Sequence, residues 1–134
     1  MGLDIYAEQL IQHYEHPNNK RKMEDASVSM NEENVSCGDV ITVYLKLNGD
    51  KIEDVSFDGN GCVISMGSAS MLTEELKGKT LAQLEKMQYR DLLKVIGIDP
   101  GPVRMHCATL SLRALKKAAF AFERKPVDTS TKEL

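Results

Sequence analysis

The stretch that decides the fold runs from residue 40 to residue 57 and reads VITVYLKLNGDKIEDVSF. Its first half alternates apolar and polar residues, which is the period of a strand with one buried face. We predict strands over 40–47 and 51–57, joined at Asn48-Gly49, a dipeptide typical of tight hairpin turns. A shorter alternation over 26–30 predicts one more strand. Such a sheet has an apolar face, and helices from the rest of the chain must cover it.

Helical periodicity occurs on both sides of this hairpin. It predicts helices over 3–15, 63–77, 81–87, 90–96 and 104–124. The apolar stripe of the first helix consists of Leu3, Tyr6, Leu10 and Tyr14. Small side chains over 64–70 predict that the second helix packs closely against backbone. We expect a single domain over 1–125 and a disordered polar tail over 126–134.

Composition excludes several classes of function. The chain has 134 residues, of which 42% are hydrophobic, so it can bury a core of its own. Its net charge of −3 argues against a nucleic-acid groove, which needs clustered Lys and Arg. No apolar stretch approaches the roughly 20 residues of a membrane span. Asp4 and Glu8 argue against a targeting peptide. We therefore expect a cytoplasmic protein that binds neither nucleic acid nor membrane.

The three cysteines, Cys37, Cys62 and Cys107, suit a metal or sulfur site. Thiolate and imidazole are the donors that zinc and iron–sulfur clusters select. Asp39 and His106 raise the number of nearby donors to five, whereas a tetrahedral ion needs four. The surplus suggests ligands that exchange. A free cysteine is often only a small buried hydrophobe, but these three lie at the edges of predicted elements, and their odd number argues against a disulfide framework.

The predicted elements place the three cysteines at connections that can converge. Cys37 precedes the first hairpin strand, Cys62 precedes the second helix, and Cys107 lies in the first turn of the last helix. The unpaired N–H groups at a helix N-terminus favour negative charge, so we expect the pKa of the Cys62 and Cys107 thiols to be lowered. Arg104 would add positive charge.

Several motifs, in order and spacing, resemble one family. They are the segment 13–19, which reads HYEHPNN; Cys37-Gly38-Asp39; Gly61-Cys62 followed by Ser65, Ser68, Ala69 and Ser70; the segment 74–79, which reads EELKGK; and His106-Cys107. This pattern resembles that of the U-type iron–sulfur cluster assembly scaffolds, namely the IscU proteins, the N-terminal domains of NifU, and the SufU proteins. The resemblance extends from about residue 3 to about residue 123.

The resemblance implies an α+β fold in which a small antiparallel sheet packs against a layer of helices. It also implies a scaffold, not an enzyme, that builds a [2Fe–2S] cluster from iron and persulfide sulfur. Cys37, Cys62 and Cys107 would be ligands, completed by His106 or Asp39, and zinc would be the metal of the cluster-free form. Because Cys107 begins the last helix beside Arg104 and matches the third ligand position, we expect it to accept the persulfide. Because five donors exceed the four needed and a carboxylate oxygen is a hard donor, we expect Asp39 to assist cluster release.

The partners implied by the resemblance are a cysteine desulfurase, an electron-donating ferredoxin, an iron-delivery protein and acceptor apoproteins. Both a monomer and a homodimer stay open. IscU proteins usually carry a Leu-Pro-Pro-Val-Lys segment that a specialised Hsp70-type chaperone recognises. The matching stretch here, residues 99–104, reads DPGPVR, which argues against that chaperone.

A second function stays open because SufU proteins resemble zinc-dependent sulfurtransferases. In these, zinc held by three cysteines and the aspartate releases one thiolate to accept sulfur. SufU proteins usually have a long insertion before the third motif and lack the histidine. Because this chain has His106 and no such insertion, the scaffold is favoured. A purely structural zinc domain is disfavoured because the chain has no closely spaced Cys pair.

Overall fold

The computed structural model describes the backbone of residues 2–134 and the side chains of residues 5–134. The side chains of Leu3 and Asp4 therefore lie outside the described part. The helices are α1 (Gly2–Glu15), α2 (Val63–Leu76), α3 (Leu81–Lys86), α4 (Tyr89–Ile96), α5 (Met105–Phe122) and α6 (Thr129–Lys132), and the strands are β1 (Val28–Asn34), β2 (Asp39–Asn48) and β3 (Lys51–Asn60). Within the described residues, no helix could span a membrane.

The three strands form one antiparallel sheet in the order β1-β2-β3. The predicted hairpin of β2 and β3 is confirmed, with Asn48 paired to Lys51 across the turn. The turn residues are Gly49 and Asp50, one position later than predicted. Gly49 has a φ of 65° and Asp50 does not have a positive φ, which is the pattern of a type II′ turn with glycine in its first central position.

The strands extend further toward the cysteines than the alternation predicts. β1 reaches Asn34 instead of ending at residue 30, and β3 reaches Asn60 instead of residue 57. The added part of β3 contains Gly59, where a Cβ atom would lie 2.9 Å from the Cα of Ile41 on β2. At Gly59 the two strands β2 and β3 approach each other too closely for any larger residue. These extensions bring the strand ends to the loops that carry the cysteines.

The helices cover one face of the sheet, as predicted. α5 packs across β1 and β2, α2 packs across β3, and the two helices contact each other. The core they enclose includes Ile41, Val43, Leu45, Phe57, Leu72, Leu110 and Leu115, all fully buried. α1 lies on the outside of α2, where a Cβ on Gly67 would stand 2.7 Å from the carbonyl oxygen of Leu10. The predicted close packing of α2 against backbone is therefore confirmed.

The HYEHPNN segment, which forms the end of α1 and the residues after it, anchors α1 to α2. His13 Nδ1 lies 2.8 Å from Ser70 Oγ, which also accepts a hydrogen bond from the backbone N–H of Asn18 at 2.8 Å. Asn19, with a φ of 63°, donates to Thr73 Oγ1 at 3.2 Å. The predicted apolar stripe of α1 holds only in part, because Leu10 is buried while Tyr6 and Tyr14 are exposed.

The C-terminal residues differ from the disordered tail that the sequence predicts. Residues 129–132 form α6, in which Asp128 caps the helix by accepting from the N–H of Thr131 at 2.9 Å. Thr131 is fully buried and Leu134 is 5% exposed. The carbonyl oxygen of Leu134 accepts from Arg113 Nη1 on α5 at 2.9 Å. The mostly polar composition of residues 126–134 did not predict this contact. The segment is held by the two buried side chains, Thr131 and Leu134, and by the Asp128 cap.

Candidate metal and sulfur site

The structure brings the three cysteines to one end of the sheet, from three separate segments of the chain. Cys37 is exposed in the turn between β1 and β2, Cys62 is half-buried at the N-cap of α2, and Cys107 is buried in the first turn of α5. All three are free thiols. Asp39, the first residue of β2, is 5% exposed and lies among them.

The donor atoms form a chain of close contacts. Cys37 Sγ and Cys107 Sγ are 3.4 Å apart, and Cys62 Sγ lies 3.4 Å from Asp39 Oδ2. Among the described residues, Cys37, Asp39 and Cys107 form a group whose donor atoms all lie within 4.8 Å of one another. Cys62 joins this group through its contact with Asp39.

These distances fit a metal ion or cluster. Two thiolates on one tetrahedral ion are about 3.8 Å apart when each metal–sulfur bond is about 2.3 Å. The observed separation of Cys37 and Cys107 is close to this value, so small side-chain movements would let both sulfurs bind one ion. Three sulfurs and a carboxylate are a donor set that suits zinc and the irons of a cluster.

His106 and Arg104 occupy a different position from the sulfurs. Both are exposed and line a cleft of about 330 Å³ that also includes Cys37, Val103 and Cys107. His106 is not a member of the close donor group described above. Of the two candidates for the fourth ligand, the structure thus places Asp39 among the donors, and His106 at the rim of the cleft beside them.

The prediction that the helix N-terminus lowers the pKa of the Cys107 thiol is wrong. Burial raises the pKa of the Cys107 thiol to about 12, and the sulfur contact with Cys37 and the charge of Cys62 add to the rise. The helix N-terminus alone would have lowered this pKa, but burial and neighbouring sulfurs outweigh it. Three thiolates held together repel one another, and a cation that binds all three removes that repulsion.

Two residues that the sequence offered only as parts of a motif, Ser65 and Gly61, contact the donors of the site. The N–H of Ser65 donates to Cys62 Sγ at 3.4 Å, so this cysteine caps α2 through its sulfur. A Cβ on Gly61 would press on the Ser65 hydroxyl and stand 3.0 Å from Asp39 Cγ, so the absence of a side chain at Gly61 leaves room for Ser65 and Asp39 beside Cys62. The sequence has no capping signal at this position, because cysteine is not a usual N-cap residue and Ser65 is not the Glu or Gln of a capping box.

Asn34 is a residue of the site that the sequence argument missed. It ends β1, is 7% exposed, and its side-chain nitrogen lies 3.6 Å from Cys107 Sγ. The signal for it was the local pattern Asn34-Val35-Ser36, since an asparagine commonly accepts from the backbone N–H two residues later.

Comparison with known proteins agrees with this geometry. The family model of the NifU-like N terminal domain matches residues 5–129. A zinc-dependent sulfurtransferase, SufU of Bacillus subtilis, is 36% identical over 130 residues, which cover 84% of this chain and 88% of that protein. The iron-sulfur cluster assembly scaffold protein IscU of Escherichia coli is 33% identical over 129 residues, covering 90% of this chain and 95% of that protein.

Solved structures extend the comparison to the fold. The crystal structure of FiSufU from Fervidobacterium islandicum has a TM-score of 0.71 and 27% identity, and covers 89% of this chain and 99% of that chain. The N-terminal part of a NifU-like protein from Brucella abortus has a TM-score of 0.75 over 92% of this chain and 97% of that chain; at 19% identity it shows the α+β fold alone. Sequence, fold and the convergence of the cysteines agree, and the chain belongs to the NifU-like N-terminal domain family of U-type iron–sulfur scaffolds.

Proposed function

We propose that this protein is a scaffold that assembles a [2Fe–2S] cluster from iron and persulfide sulfur and passes it to acceptor apoproteins. The observation that carries the proposal is the convergence of Cys37, Cys62 and Cys107 with Asp39 at one end of the sheet. Each of the three cysteines comes from a different segment of the chain, so none belongs to a rigid local knuckle of the kind found in structural zinc sites.

The exposure of Cys37 supports transfer of the cargo. Cys37 is exposed and borders an open cleft, so one ligand can leave while the other two still hold. In this proposal the three cysteines bind the cluster, Asp39 or His106 completes the ligand set, and Asp39 assists release. A carboxylate oxygen is a harder donor than a thiolate and binds a sulfide-rich cluster less firmly.

Sulfur would enter from a cysteine desulfurase through attack of a scaffold thiolate on the outer sulfur of the desulfurase persulfide. A new S–S bond forms, the old one breaks, and the desulfurase cysteine leaves as a thiolate. We propose Cys107 for this role, because it lies in the first turn of α5 beside Arg104 and matches the third ligand motif of the family. Cys107 is 3% exposed in this structure, whereas Cys37 is exposed and only 3.4 Å away from it. Mass spectrometry after desulfurase treatment distinguishes the two, because loss of the persulfide from a Cys107→Ser variant but not from Cys37→Ser assigns it to Cys107.

A second candidate function is zinc-dependent sulfur transfer. It is favoured by the membership of Asp39, and not His106, in the close donor group, because three cysteines and an aspartate are the zinc ligands of SufU-type proteins. In that function the protein would be a sulfur acceptor that keeps one zinc ion and carries no cluster.

One experiment separates the two functions. The purified protein is incubated without oxygen with iron, cysteine and a cysteine desulfurase, and its visible spectrum and bound metals are measured. A brown product that contains iron and sulfide supports the scaffold. A colourless protein that retains one zinc and gains a persulfide supports the sulfurtransferase and refutes the scaffold. An electron-donating ferredoxin and an iron-delivery protein, the further partners expected of a scaffold, should then increase the rate of cluster formation.

A further inference from the structure

Asn34 connects two of the three segments that carry the cysteines. Its side-chain Oδ1 accepts a hydrogen bond from the backbone N–H of Ser36 at 3.2 Å, next to Cys37. Its Nδ2 donates to Cys107 Sγ on α5 at 3.6 Å, a normal distance for the large sulfur atom. Its own carbonyl oxygen accepts from the N–H of Gly38 at 2.8 Å. One residue thus holds the turn of Cys37 and reaches the sulfur of Cys107.

The orientation of the Asn34 amide follows from these contacts. A backbone N–H can only donate, so the group that faces Ser36 must be the oxygen. The NH₂ group then faces Cys107, and it can only donate a hydrogen bond. Pairing of Asn34 with Asp39 across β1 and β2 holds the backbone in place, and the side chain is almost fully buried. The amide is therefore a fixed donor aimed at the Cys107 sulfur.

We infer that Asn34 is a positioning residue that orients the Cys107 sulfur and donates a hydrogen bond to it when the sulfur binds metal. This inference rests on the proposed function, because it takes Cys107 as a ligand. A neutral N–H donor withdraws electron density from a thiolate without competing for the metal. Partners of this kind fix the geometry of a ligand and tune the affinity of a metal site and the potential of a cluster.

The test uses Asn34→Thr, with Asn34→Ser as the second variant if the first fails to fold. A hydroxyl at this position can still accept from the N–H of Ser36, but it is too short to reach the sulfur. The turn is thereby kept and the sulfur contact is lost without a change of charge. The matched control is Asn31→Thr, because Asn31 lies on the exposed side of the same strand, with its amide donating to Thr42 Oγ1 at 2.9 Å.

Two properties of the purified variants are measured. Zinc affinity is obtained by competition with a chelator, and we expect a loss of about 10- to 100-fold for Asn34→Thr, the usual effect of removing such a partner. Cobalt(II) is then bound in place of zinc, and the thiolate-to-cobalt charge-transfer band is recorded. Because a thiolate without its hydrogen bond is a better electron donor, the band should move to lower energy. Asn31→Thr should change neither property.

The outcomes are distinct from a failure of the proposed function. If the unmodified protein binds neither zinc nor cobalt through its cysteines, the proposed function fails. If the unmodified protein binds both and Asn34→Thr keeps its affinity and its band position, the inference about Asn34 is wrong while the function stands. A loss of zinc affinity without a shift of the charge-transfer band would also overturn the inference about Asn34, because Asn34 would then act only through the turn of Cys37.

Discussion

Replacing Asp39 with alanine should leave a scaffold that still assembles a cluster but releases it more slowly. The carboxylate lies within 4.8 Å of the sulfurs of Cys37 and Cys107, so its charge repels an anionic cluster held by those sulfurs. Two like charges at this distance repel by about 3 kcal/mol at an effective dielectric constant near 20. Screening by the water and salt that reach the exposed Cys37 reduces this value, so we expect release to slow by about 10- to 100-fold.

The assay measures transfer of the cluster to an apo-ferredoxin together with the half-life of the cluster on the scaffold. Asp50→Ala is the matched control, because it removes the same charge from the hairpin turn at the other end of β2, about 30 Å along the strand from the site. Thermal unfolding of the apoprotein checks that Asp39→Ala is folded. Faster cluster loss from Asp39→Ala, at unchanged stability, would show that Asp39 holds the cluster and would refute the reasoning.

Three further predictions concern the site, the pH dependence and the C-terminal segment. Gly61→Ala should weaken zinc binding, because its Cβ would press on the buried Ser65 hydroxyl and stand 3.0 Å from Asp39 Cγ; an unchanged affinity in chelator competition would contradict this. Burial and a hydrogen bond with Glu123 raise the pKa of Glu85 from 4.5 to about 7, so its contribution to stability is full below pH 4.5 and is lost as the pH rises through about 7. Glu85→Gln should therefore flatten the pH dependence of Tm between pH 4.5 and about pH 7, whereas an unchanged slope would assign that dependence to other groups. Leu134→Ala should lower the free energy of unfolding by about 2 kcal/mol in urea, and a loss near zero would show that α6 is not held to the core.

The sheet and its helices could be predicted because their signals are local. Alternation in residues 40–57 defines the hairpin, since each side chain on a strand points to the face opposite its neighbour. The capping box of Thr80 and Gln83, which forms in the structure, is likewise a short-range pattern. The ends of β1 and β3 were missed because pairing with β2, and not their own alternation, extends them toward the site. The order of α6 was missed for a similar reason, since its support comes from α5.

The candidate site divides in the same way between sequence and structure. The sequence by itself determined which donors are available, because residue type alone gives each donor atom. These donors belong to Cys37, Cys62, Cys107, Asp39 and His106. Only the tertiary structure decided that Asp39 lies among the sulfurs, that His106 lies at the rim, and that burial raises the pKa of Cys107. Charge, burial and distance depend on segments that are 70 residues apart for Cys37 and Cys107, and no local pattern encodes how such segments meet.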